Sequence, residues 1–178
     1  MEHITHNINN RFGFSIIEVI AAFTIIAIGL VGVLALVNQN IQAQVVNRNM
    51  LIASQLAQEG LELVRNKRDT NWLISGNDWK TGAGAGTPSD IVQDLTYTID
   101  YSGNIGGGVN SIDGTGANLS INVNGFYNHV VADAPSPFYR LITVQDSGDW
   151  VEVNSQVRWK ERGGTKDYTA STLLYNWR

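Results

Sequence analysis

The chain has no cysteine, only three prolines and only three histidines in 178 residues. Disulfides, thiolate metal sites and cysteine nucleophiles are excluded together. His3 and His6 precede a long apolar run, so the main body has only His129 and is poorly supplied for transition-metal binding or histidine acid–base chemistry. No proline occurs before Pro88, and no charged side chain lies between Glu18 and Arg48. The 12 Lys and Arg against 16 Asp and Glu leave a net charge of −4, the wrong sign for a polyanion binder. Glycine is plentiful, with 18 residues, and it clusters in the middle of the chain as turns and loops. The length suits one domain with its own core.

The uncharged stretch contains Val19–Val37, VIAAFTIIAIGLVGVLALV. With Phe14 to Ile17 in front it approaches the roughly 20 residues that cross a bilayer, and it reads as a transmembrane helix. A secretory signal would have a shorter apolar core ending at a small-x-small site; here Val37 stands at the cleavage position, and a weaker site follows Ala43. Arg11 precedes the helix and residues 38–47 carry no charge, so the positive-inside rule places the N-terminus in the cytoplasm. Glu18 is the exception within this segment. An ionised carboxylate near hydrocarbon costs at least about 2.5 kcal/mol, so Glu18 requires a nearby cation or a place at headgroup level in the first helical turn.

The helical pattern continues beyond the membrane segment. Ile41, Val45, Ile52, Leu56 and Leu63 recur at helical steps beside a second stripe of Val46, Met50, Ala53, Ala57, Leu61 and Val64. Small residues Ala53, Ala57 and Gly60 in this broad face allow another layer to come close. Glu62 with Arg65, and Arg65 with Asp69, have the spacing of surface ion pairs. A helix from Phe14 to about Arg68 would measure on the order of 80 Å at 1.5 Å per residue. Only its second half can pack on its own domain.

The segment Arg11-Phe12-Gly13-Phe14-Ser15-Ile16-Ile17-Glu18-Val19 resembles the cleavage and methylation motif of type IV prepilins and pseudopilins. It combines a short polar leader ending in glycine, an aromatic first mature residue, a glutamate four residues later and a long apolar helix. Isoleucine at 16 and arginine at 11 stand where the family more often has leucine and lysine. Gly13, lacking Cβ, lets the backbone enter a tight cleft. The resemblance implies that prepilin peptidase cuts between Gly13 and Phe14 and methylates the new Phe14 amine. It also implies that Glu18 faces the Phe14 amine of a neighbouring subunit during assembly.

Residues 27–34 and 53–65 look most like PilV- and GspI-type minor pilins or pseudopilins, and Ala35 stands where many major pilins have a helix-breaking proline. The implied fold is α+β: a long N-terminal helix whose hydrophobic half protrudes and whose second half lies on an antiparallel β-sheet. The expected division is a leader at 1–13, an assembly helix at 14–37, an amphipathic continuation at 38–68 and a β-rich exported domain at 69–178. By resemblance the partners are prepilin peptidase, other pilin subunits in a homo- or hetero-filament, the inner-membrane assembly machinery and membrane lipid. The implied location is a single-pass membrane protein that becomes part of a filament at the cell surface. The alternatives are a pseudopilin of a type II secretion system and a filament-tip pilin that binds DNA or a surface. No cofactor is implied.

After Asp69 the composition turns to Gly, Asn, Ser, Thr and aromatics, with turn clusters at 81–90 and 102–118. Strands are expected at 95–101, 119–123, 126–131, 138–144, 150–159 and 168–175. Gly163-Gly164 reads as a hairpin turn that places Trp159 and Tyr168 as cross-strand neighbours. Asp100, Asp113, Asp133, Asp146 and Asp149 are scattered without a spacing that names a mechanism, so a non-enzymatic role is expected. Asp113-Gly114-Thr115-Gly116 lacks the repeated oxygen ligands of a calcium loop and reads as a turn. Arg158, Lys160 and Arg162 with Trp159 form a small basic and aromatic hairpin suited to phosphates and a stacked base. The chain's acidity and Glu161 weigh against nucleic acid as the partner and favour a solvated hairpin.

Overall fold

The computed structural model describes residues 13–93, 96–161 and 163–177. One helix, α1 (Ile16–Leu73), accounts for 58 residues. Seven strands follow: β1 (Thr96–Ile99), β2 (Ile105–Gly106), β3 (Asn118–Ile121), β4 (Tyr127–Asn128), β5 (Ala134–Asp146), β6 (Trp150–Glu161) and β7 (Gly164–Tyr175). The fold is α+β and pilin-like, with every strand pair antiparallel. By contacts the chain divides into two units, 1–45 and 46–178. In the first unit the described residues are α1 and its lead-in, all exposed. This part of α1 is long and apolar enough to cross a membrane.

In the second unit the sheet is organised around β5. One edge of β5 pairs with β6 from Phe138 to Asp146. The other edge takes β1 opposite Ile142 and Thr143, and β3 opposite Ala134, Pro135 and Tyr139. β2 extends the sheet from β1, and β4 extends it from β3. The register slips between Asn118 and Ser120, beside a segment of β5 that contains Pro135 and Pro137. Proline has no N–H for the ladder, so a slip is tolerated there. β7 pairs only with β6 and forms the free edge.

The remainder of α1 packs by the small and apolar residues Ala53, Leu56, Ala57, Gly60, Leu61 and Val64. A Cβ added at Gly60 would lie 2.5 Å from Ser155 Oγ and 3.0 Å from Ile142 Cδ1, so the helix backbone rests directly on β5 and β6. The core has two apolar clusters. One gathers Leu61, Val64, Tyr97, Ile142 and Val153, and the other Leu56, Ala57, Leu119, Phe138 and Trp159. Arg140 is fully buried; it donates from Nη1 to the Leu56 carbonyl at 3.1 Å and from Nη2 to the Ile99 carbonyl at 2.5 Å. Glu59 Oε2 stands 3.4 Å from its Nη1. Burial lowers the Arg140 pKa, while Glu59 and then Asp100 oppose the shift. This pair was not anticipated from the sequence, and neither was the buried Asn71.

Several expected boundaries move. The helix ends at Leu73 rather than near Arg68, because Asn71 is buried on it and donates to the carbonyls of Trp79 (3.2 Å) and Ser89 (2.9 Å), tying the following loop down. Ile41, Val45, Val46 and Met50 of the expected stripes are exposed, so the packed face starts further along. Arg65 pairs with Glu62 and donates to Thr172 Oγ1 at 2.7 Å, whereas Asp69 is taken by Arg68 at 2.8 Å. β2 lies inside a stretch read as loop, the strand expected at 126–131 shrinks to Tyr127–Asn128, and β5 begins at Ala134. Glu161 stands opposite Gly164, so Gly164 is already strand and not part of the turn expected at Gly163-Gly164. Trp159 consequently pairs with Lys166 and Tyr168 with Val157, a diagonal relation instead of a direct one.

Candidate functional site

The residues singled out near the N-terminus lie where backbone and helix meet. The Ser15 carbonyl accepts the N–H of Glu18 at 3.0 Å and of Val19 at 3.2 Å, which starts α1 at Ile16, two residues after Phe14. A Cβ at Gly13 would touch nothing within 4 Å, and the Phe14 side chain is 84% exposed. Glu18 falls in the first turn, where unpaired helical N–H groups favour a carboxylate. It makes no ion pair among the described residues. Its neighbours in a shallow surface depression are Phe14, Val19, Ala22, Phe23 and Ile26. A carboxylate set among aromatic and aliphatic groups can accept a cation brought to it. Arg11 and the rest of the leader through residue 12 lie outside the described residues. Gly29 and Gly32, further along the helix, leave open space where a Cβ would stand.

The structure does not assemble the basic and aromatic hairpin on one face. Trp159 is 2% exposed and turned into the core, its ring 6.2 Å from that of Phe138, so it cannot stack a base. Arg158 faces the other way and is already engaged: Nε donates to Asp167 Oδ1 and Nη1 to Asp113 Oδ2, both at 2.7 Å. The hydrogen bonds to Asp167 and then Asp113 raise its pKa. Lys160 is exposed, and Arg162 lies outside the described residues.

Of the scattered carboxylates, Asp100, Asp113, Asp133 and Asp146 serve local structure. Asp100 Oδ1 accepts from Ser102 Oγ at 2.6 Å and from the N–H groups of Ser102 and Asn104 at 3.0 Å. Desolvation works against its ionisation, but these bonds outweigh it and hold its pKa below the usual carboxylate value. Asp133 accepts from Asn128 Nδ2 at 2.7 Å, and Asp146 pairs with Lys80 at 2.6 Å. Asp113-Gly114 leads into a short 3₁₀ turn, Thr115–Ala117, with Asp113 on Arg158. No group of three potential metal ligands occurs among the described residues. His129 sets Nδ1 3.0 Å from the Asn118 carbonyl. Burial, and then the Arg140 charge, push its pKa down to about 4.

A family model described as the prokaryotic N-terminal methylation motif matches residues 8–34. This match and the long helix leading into an antiparallel sheet make the chain type IV pilin-like, with the N-terminus of a prepilin peptidase substrate. Pilin-like chains of this kind are structural subunits that assemble with other pilins. No curated protein and no solved structure matches the chain.

Proposed function

We propose that the chain is a minor type IV pilin, cleaved after Gly13, methylated on the Phe14 amine and assembled into a filament. The observation that carries this reading is the methylation motif, coincident with a carboxylate that has no ion pair among the described residues, in the first turn of an exposed apolar helix. Methylation keeps the Phe14 amine cationic. In assembly that amine from one subunit meets Glu18 of the next, and each charge supplies what the other lacks in low dielectric. The apolar surfaces of α1 supply most of the association energy, since removing apolar surface from water is the main force that drives such association. The charge pair fixes register, because a slip along the helix leaves a carboxylate facing hydrocarbon.

The test is replacement of Glu18. Glu18→Ala and Glu18→Val leave Gly13 and Phe14 in place, so cleavage proceeds normally. Removing one partner of a buried pair costs about 3–5 kcal/mol, so incorporation into filaments falls by more than about a hundredfold. Quantitative immunoblotting of sheared filaments against membrane fractions reads both steps. Normal incorporation of cleaved Glu18→Ala subunits would remove the register role.

A further inference from the structure

Three of the chain's five tryptophans meet where α1 ends and β7 ends, though they are far apart in sequence. Trp72 lies on the last turn of α1, Trp79 in the loop beyond it and Trp177 just past β7. The rings of Trp72 and Trp177 are 4.4 Å apart at 73°, edge to face, and those of Trp72 and Trp79 are 6.3 Å apart. Trp79 is buried, while Trp177 is 68% exposed. Its indole is held against Trp72 yet open to solvent, which leaves an aromatic surface available to a ligand.

Beside these rings lies a depression of about 360 Å³ lined by Trp72, Ser75, Asn77, Asp78, Trp79 and Asn176. That volume is at the lower end of the roughly 300–1,000 Å³ typical of small-ligand sites. Its polar groups retain hydrogen-bonding capacity. Asp78 uses Oδ1 for the backbone N–H groups of Lys80 and Thr81, which fixes the loop and leaves its second oxygen available. Asn176 accepts from Trp72 Nε1 through Oδ1 at 3.3 Å and keeps its amide N–H groups. The side chains of Ser75 and Asn77 make no hydrogen bond among the described residues.

The nearby cations are already neutralised. The Arg68 guanidinium lies 4.5 Å from the Trp72 centroid and is paired with Asp69, and Lys80 lies 5.2 Å from the Trp79 centroid and is paired with Asp146. Among the described residues a phosphate would find no free positive charge, and it would meet Asp78. The chemistry suits a neutral ligand with one apolar face and a rim of hydroxyls. A pyranose ring has this form: its axial C–H bonds carry partial positive charge toward the negative face of an indole, and its equatorial hydroxyls reach outward to amides and carboxylates.

We propose that this depression, flanked by the exposed Trp177 indole that packs on its lining residue Trp72, binds a neutral saccharide whose hydroxyls are read by Asn77, Asp78 and Asn176. The proposal does not rest on the filament reading; an ectodomain on a plain membrane anchor would carry the same site.

The test uses the full chain in a detergent without a sugar headgroup, titrated with cellohexaose, chitohexaose, maltohexaose and mannohexaose while tryptophan fluorescence and heat are followed. At least one of these gives saturable binding. Trp177→Ala weakens it at least about tenfold, Trp177→Phe keeps it within about threefold, and Asn77→Ala weakens it with an unchanged melting temperature. If Trp177→Ala disturbs folding, Asn77→Ala decides. Absence of binding to all four sugars at millimolar concentration overturns the proposal, as does unchanged affinity in Asn77→Ala and Trp177→Ala. Loss of an apolar dye signal in Trp177→Ala, without any saccharide binding, identifies a plain apolar docking surface instead.

Discussion

His129 and Arg140 impose a direction on how stability depends on pH. His129 has its pKa pushed down to about 4, first by burial and then by the Arg140 charge, against an ordinary value of 6.5. The folded chain therefore holds this imidazole neutral where the unfolded chain protonates it. Stability from this group is complete above about pH 6.5, declines as the pH falls toward 4, and amounts to a loss of on the order of 3 kcal/mol at the acid end. Asp100, hydrogen-bonded as an anion, has its pKa lowered, so its contribution disappears at still lower pH and leaves the His129 window separate. We expect the melting temperature of the full chain in detergent to fall between pH 7 and 4.5, and His129→Gln to flatten most of that decline. An equal decline in His129→Gln would assign the acid sensitivity to other groups. The sequence marked His129 only as the sole imidazole of the main body. Its sensitivity comes first from its burial and then from the charge of Arg140, eleven positions away in the chain, which the β-rich run 138–144 did not identify as buried because Leu141 beside it is buried as well.

At the level of elements, α1 and the sheet meet through Gly60. The added Cβ would crowd Ser155 Oγ and Ile142 Cδ1, and a larger side chain would have to displace β5 and β6 themselves. Gly60→Leu is expected to destabilise the second unit by about 1–3 kcal/mol, the usual range for overpacking, despite leucine's better helix propensity. Denaturant unfolding followed by tryptophan fluorescence measures it, and an unchanged midpoint would mean that the helix sits less closely than described. This contact was legible in part: the stripe of Ala53, Ala57 and Gly60 named the close face, while the strands beneath it required the tertiary fold. Alternation along β6 separates the tryptophan from the basic residues. Val151, Val153, Val157 and Trp159 share one parity and are buried, while Arg158 and Lys160 have the other. Gly163-Gly164 was read as the turn, whereas Gly164 pairs with Glu161 and already belongs to β7, which shifts the register of the hairpin.

For the whole molecule, the N-terminal part and the β-rich part were legible to different degrees. The first 34 residues contain a local motif whose order and spacing state its chemistry, and the family match covers that same region at 8–34. In the β-rich part the strands could be read from short apolar runs, but the meeting of Trp72, Trp79 and Trp177 could not, because it depends on where a helix and a distant strand both end. Processing at Gly13 and Phe14 is therefore the event on which the pilin reading depends most. Intact-mass and N-terminal peptide mass spectrometry of the chain, produced with and without an active prepilin peptidase, tests that event directly. The predicted result is a peptidase-dependent product that has lost residues 1–13 and begins with Phe14 carrying one added methyl group. The same uncut N-terminus in both cultures, with a peptidase that processes another prepilin, would contradict the pilin reading, and so would a cut near Ala43.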